Sequence, residues 1–161
     1  MDYVWSPWRY QYMEQAKTGK QPDCFFCDAV ARKDDSETLV VYRGTKNFMI
    51  LNRFPYTSGH LMIVPNAHLA ELQLCEVGVL DEMMWLAQQV EKALKVIYSP
   101  EGLNLGMNLG RAAGAGVAGH LHLHVLPRWF GDTNFMTVVG ETRVHPEDLQ
   151  TTYKKLAEAL A

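Results

Sequence analysis

Three histidines stand at alternate positions in Gly119-His120-Leu121-His122-Leu123-His124-Val125-Leu126-Pro127-Arg128-Trp129. An imidazole is a nucleophile, a proton carrier near neutral pH and a metal ligand. Alternation with Leu, Leu and Val is the period-two pattern of a strand with one buried face. On such a strand the imidazoles share one face, with neighbours about 6–7 Å apart. Packing gives no reason for three imidazoles in a row, so the row reads as a reaction site. A single metal cannot take all three, because the outer pair lies ~13 Å apart along a strand. At least one is left for other work.

Upstream runs Gly106-Met107-Asn108-Leu109-Gly110-Arg111-Ala112-Ala113-Gly114-Ala115-Gly116-Val117. Small residues let backbone N–H groups approach a phosphate closely. Directly before the histidines, Gly114, Gly116 and Val117 are expected to contact phosphate. A third segment, Asn52-Arg53-Phe54-Pro55-Tyr56-Thr57-Ser58-Gly59-His60, places a polar Asn at a strand end, then a turn and a Gly-His pair. Asn52 and His60 suit a ribose edge, although a purely structural Asn turn is equally compatible. The fourth feature is Cys24-Phe25-Phe26-Cys27. A Cys-x-x-Cys pair reads as half a zinc site, as structural thiols or as a redox pair. No thioredoxin-like pattern surrounds it. Zinc needs two more ligands, and His68 and His120 are the histidines outside the expected chemistry.

These residues need a frame. The chain has 161 residues and nearly half are apolar, which suits one domain with a real core. A net charge of −3 leaves no footprint for long nucleic acid. No apolar run approaches the ~20 residues of a membrane span. The first residues do not read as a signal peptide, and three cysteines suit a reducing cytoplasm. Residues 1–22 are expected to form an arm around the domain. Thr38–Arg43 and Lys46–Asn52 read as a hairpin, Gly59–Pro65 as the next strand, and Gly102–Leu109 and His120–Pro127 as the last two. Asp81–Tyr98 carries apolar residues at helical spacing and ends at Ser99-Pro100. A second helix over Pro146–Leu160, capped near His145, lies in a C-terminal extension over 136–161. Meander strands with two helices give an α+β domain on an antiparallel sheet.

His120-Leu121-His122-Leu123-His124-Val125-Leu126 resembles the motif of the histidine triad (HIT) family, in which three histidines alternate with hydrophobic residues. The likeness extends over most of residues 24–130. The flanks Trp5-Ser6-Pro7-Trp8-Arg9 and Pro127–Phe135 resemble the bacterial branch that includes diadenosine tetraphosphate phosphorylases. This resemblance implies a homodimer with a five-stranded antiparallel sheet per subunit, binding a nucleoside phosphate. It implies that His122 attacks the α-phosphorus and carries a nucleotidyl group. It places His124 near phosphate or ribose, Asn52 at the ribose and Asn108 at a phosphate oxygen. By analogy with related uridylyltransferases it gives His120 to a structural zinc with Cys24, Cys27 and His68. Many members carry a hydroxyl just before the triplet, whereas here Ala115-Gly116-Val117-Ala118-Gly119 has none. That departure favours a polyphosphate leaving group, which needs little protonation. A nucleoside phosphoramidase, or a nucleotide-binding protein with little turnover, is the alternative.

Overall fold

Two apolar runs, Asn47–Leu51 and Leu61–Pro65, are buried at every position and form the centre of a sheet. The computed structural model describes residues 24–133, 137, 139 and 145–161. The expected arm over 1–22 and part of the expected 136–161 extension lie outside the described residues. In chain order the elements are helix α1 (Phe25–Ala31), helix α2 (Asp35–Thr38), strands β1 (Val40–Arg43), β2 (Asn47–Leu51) and β3 (Leu61–Pro65), helix α3 (Val77–Tyr98), strands β4 (Gly102–Gly106) and β5 (Leu123–Arg128), and helix α4 (Leu149–Leu160). The five strands form one antiparallel sheet in the order β1-β2-β3-β5-β4. This is the expected α+β architecture with one long and one C-terminal helix.

Helix α3 buries Val79, Met83, Leu86, Ala87, Val90, Ala93 and Leu94 at helical spacing, and packs on β2, β3 and β5. The larger of these side chains each contribute about 1.5–3 kcal/mol when fully removed from water. The helix begins at Val77 rather than at the expected Asp81, and its added first turn reaches the β1–β2 hairpin, where the Val79 carbonyl accepts from the Asn47 amide at 3.0 Å. There the Glu82 carboxylate accepts from the Thr45 and Lys46 N–H groups and from the Asn47 amide, each at 2.8 Å. The helix stops where expected, with Ser99 left-handed at φ 45° before Pro100. Helix α4 packs on α3 and β1. Its cap is Asp148, which accepts from the Thr151 N–H at 2.9 Å, rather than a residue near His145.

Strand β5 differs from its expected span in a way that matters for the site. Its ladder to β3 begins at Leu123↔Ile63, so His120 and His122 precede the strand and only His124 lies within it. The reason is a competing partner. The Leu121 N–H donates to the Leu69 carbonyl at 2.6 Å, outside the sheet, and the His120 N–H donates back to Val117 at 3.3 Å. From Leu123 onward the alternation holds, with Leu123, Val125 and Pro127 buried and His124 on the opposite face. On that face His124 sits between Met62 of β3 and Gly106 of β4.

Candidate active site and metal centre

Helix α1 starts at Cys24, whose backbone is extended and whose thiol makes no capping bond. The thiol instead lies 3.2 Å from Nδ1 of His120. One helical turn on, Cys27 Sγ lies 3.3 Å from Nδ1 of His68 and 3.7 Å from Nδ1 of His120. The four ligand atoms all lie within 4.8 Å of one another. Tetrahedral zinc with ordinary Zn–S and Zn–N bonds separates sulfur from nitrogen by about 3.6 Å, so the spacing fits. The outer shell fits too. Nε2 of His120 lies 2.9 Å from the Pro65 carbonyl, which only accepts, so Nε2 carries the proton and Nδ1 presents its lone pair to the thiols. Four ligands close the tetrahedron, so a metal here supports structure. The structure thus brings together Cys24, Cys27, His68 and His120, the four residues expected at zinc.

The other histidines form a second chain of hydrogen bonds with definite direction. Nδ1 of His122 lies 2.9 Å from the His120 carbonyl. That nitrogen must donate, so in neutral His122 the bare nitrogen is Nε2. Nδ1 of His60 accepts the Tyr56 N–H at 3.2 Å. Its Nε2 therefore carries the proton and donates to Nδ1 of His124 at 2.9 Å. His124 is left with its proton on Nε2, a donor. His122 and His124 meet edge to face, with ring centroids 4.8 Å apart. His120 leaves the row altogether, its ring turned to His68 at 5.1 Å.

Burial holds these rings neutral. It pushes His60 down to about 3, with His124 and His122 adding to the effect. It pushes His124 down to about 4, with His122 adding. His122 is also lowered by burial, against the opposing pull of its bond to the His120 carbonyl.

The residues expected to bind substrate divide. His60 is 1% exposed, and its Nε2 meets His124 rather than open space. Asn52 serves the turn, with its oxygen accepting the Phe54 N–H at 2.9 Å and its amide nitrogen 3.4 Å from both nitrogens of His60. Asn108 is half-buried, and its side chain makes no hydrogen bond among the described residues. In the loop, Gly110 and Gly114 have φ of 80° and 88°, which favours glycine. A Cβ at Gly114 or Gly116 would meet nothing within 4 Å, so packing does not account for their small size. Val117 packs its side chain against the core. Sequence reasoning passed over Tyr56, whose ring lies 4.8 Å from His60 and 6.2 Å from His124. It also passed over Phe26; the only signal was an aromatic residue between two candidate ligand cysteines.

Fold and histidine arrangement together define a protein of the histidine-triad class. The family model described as HIT domain matches residues 33–131, and the chain belongs to that family of nucleotide-processing proteins. The chain is 38% identical over 159 residues to the AP-4-A phosphorylase of Mycobacterium tuberculosis strain H37Rv, across 96% of this chain and 82% of that protein. It is 28% identical over 142 residues to the Protein hit of Bacillus subtilis, across 86% and 95% of the two chains. A Zn-bound histidine triad family protein from Mycobacterium smegmatis superposes with a TM-score of 0.70 at 28% identity, covering 86% of this chain and 93% of that one. A hypothetical histidine triad nucleotide-binding protein from Sulfolobus tokodaii superposes at 0.69 with 27% identity, covering 85% and 91%. Among the described residues, no helix is long and apolar enough to cross a membrane.

Two outcomes follow. Protein purified without chelator is expected to carry about one zinc per chain. A Cys24→Ser, Cys27→Ser double variant is expected to lose it together with several degrees of melting temperature. Metal analysis with thermal melts checks both, and a metal-free wild type of equal stability would contradict the site. The second concerns pH. His60 and His124 bind protons more weakly folded than unfolded, so acid favours the unfolded chain. Their contribution is fully present above about 6.5 and is lost as pH falls toward 4, with a slope of up to about 1.4 kcal/mol per pH unit for each ring. Urea unfolding at pH 7 and pH 5 should show the loss, and His60→Gln should flatten the slope.

Proposed function

We propose that the chain cleaves a phosphoanhydride of a dinucleoside polyphosphate, of the diadenosine tetraphosphate type, through a nucleotidyl-histidine on His122. The observation that carries this reading is the hydrogen bond from His122 Nδ1–H to the His120 carbonyl, which leaves Nε2 unprotonated at neutral pH. In the first step Nε2 forms a bond to the α-phosphorus. The bond from that phosphorus to the bridging oxygen breaks, and the nucleoside polyphosphate leaves as an anion. His124, with its proton on Nε2, donates a hydrogen bond to a phosphate oxygen as charge develops there. Asn108, whose side chain makes no hydrogen bond among the described residues, is the second side-chain donor. The backbone around Gly114, Gly116 and Val117 offers N–H groups to the same oxygens. In the second step an acceptor forms a bond to phosphorus and the P–N bond breaks, which frees His122.

Two further observations support the substrate class. Ala115–Gly119 supplies no hydroxyl to protonate a leaving group, which a polyphosphate does not need and an amine does. The relative from Mycobacterium tuberculosis is an AP-4-A phosphorylase by name, which favours phosphate as the second acceptor. A structural zinc at Cys24, Cys27, His68 and His120 belongs to the proposal, as does a homodimer. The dimer draws support from the edge strand β4, with Leu105 exposed, and from exposed Met84, Trp85 and Val96 on α3.

Turnover of diadenosine tetraphosphate with and without phosphate, followed by product chromatography, tests the reading. ADP plus ATP is expected with phosphate, and AMP plus ATP with water alone. His122→Ala should lower kcat by several orders of magnitude while nucleotide binding changes little. Quenched wild-type protein should carry the adduct on His122. Two ADP as products, an adduct on another histidine, or a phosphoramidate preferred by kcat/KM would overturn it.

A further inference from the structure

Phe26 lies between the two cysteines of the metal centre, yet its side chain does not point into that centre alone. Its ring is 1% exposed. The centroid lies 5.4 Å from that of His120, edge to face at 73°, and 5.1 Å from that of His122, tilted at 47°. Phe25 meets it edge to face on another side at 5.6 Å. These separations fall in the range in which aromatic rings attract each other in a preferred orientation. The backbone of α1 therefore carries three side chains with two destinations. Cys24 and Cys27 hold the metal ligands' side, and Phe26 packs against the imidazole that the proposed reaction uses. His120 makes the same double connection, with its ring among the thiols and its carbonyl on His122 Nδ1–H.

We infer that Phe26 is a positioning residue for His122: the metal centre clamps the first turn of α1, and the Phe26 ring fixes the orientation of the His122 imidazole. The His120 carbonyl sets which nitrogen is bare. It does not by itself stop the ring from turning about the Cβ–Cγ bond, because one hydrogen bond leaves that rotation soft. A wall on the ring face supplies the second restraint. An ordinary core would need only apolar volume at position 26. A positioning role needs a ring, and it needs the helix that carries the ring to be held at the end where the ring sits. This inference rests on His122 being the reacting histidine, as proposed above.

The test uses the full chain with zinc bound. Phe26→Leu keeps an apolar side chain and removes the ring. It is expected to lower kcat on diadenosine tetraphosphate at least tenfold. KM, AMP affinity by calorimetry and zinc content should stay within about twofold of wild type. Phe26→Tyr keeps the ring and should recover most of the loss. A Phe26→Leu protein with bound zinc and kcat within twofold of wild type would overturn the role. Should neither variant fold, exchange of zinc for cadmium in the wild type supplies the reading, because the larger ion lengthens the ligand bonds. The ring-proton resonances of Phe26 and His122, neither of them a ligand, should then shift together. Unmoved His122 resonances would overturn the inference. If the wild type fails to turn over any dinucleoside polyphosphate, the functional reading falls, and the metal exchange still judges the Phe26–His122 coupling.

Discussion

A backbone carbonyl accepts only, and that constraint organises the site. Because the His120 carbonyl lies 2.9 Å from Nδ1 of His122, the proton of neutral His122 must sit on Nδ1. The Pro65 carbonyl acts in the same way and turns the Nδ1 lone pair of His120 toward the cysteines. The Tyr56 N–H is the mirror image: it only donates and so places the His60 proton on Nε2 and the His124 proton away from His60. Three backbone groups, none of them visible in a side-chain motif, assign three different roles to chemically identical rings. One ring has a bare Nε2, one has a proton on Nε2, and one turns its Nδ1 lone pair to two thiols; the proposed function uses these for phosphorus, an oxyanion and a metal respectively.

The fold exists to keep those backbone groups in place. The Pro65 carbonyl is the last position of β3, and β3 is buried throughout between β2 and β5. The Tyr56 N–H belongs to the turn that leads into β3, and that turn is tied by Asn52. The His120 carbonyl stands just before β5, where the Leu121 N–H is fixed to Leu69. Helix α3 and the central strands form the core beneath, so the site rests on strand ends. Burial supplies the second half of the arrangement. It lowers the affinity of His60, His122 and His124 for protons, so the neutral forms that the hydrogen bonds require are the forms present at neutral pH.

Much of this was legible in the sequence, and the exceptions have local causes. The long helix, the sheet and the C-terminal helix follow from periodicity and from breakers such as Ser99-Pro100. The cluster of Cys24, Cys27, His68 and His120 follows from Cys-x-x-Cys spacing and the supply of histidines. The regular row of three imidazoles was not right. Period-two alternation continues through His120 and His122, but the backbone there bonds to Leu69 and Val117 instead of a neighbouring strand. The Gly-His pair after the turn suggests a ribose edge, but the burial of His60 depends on contacts with Tyr56 and His124 that only the fold brings together. Helix α1 was missed because seven residues around a Cys-x-x-Cys pair carry too short a period to detect. Phe26 was passed over because ligand chemistry drew attention to the cysteines on either side.

The tautomer of His122 is the point on which the account turns, and it is directly observable. Long-range nitrogen–proton correlation spectra of the zinc-loaded protein at pH 7, with histidine labelled in both ring nitrogens, distinguish a protonated from a bare nitrogen by its shift. The account predicts a protonated Nδ1 and a bare Nε2 at His122, with the proton on Nε2 at both His60 and His124. A proton on Nε2 of His122 would contradict it.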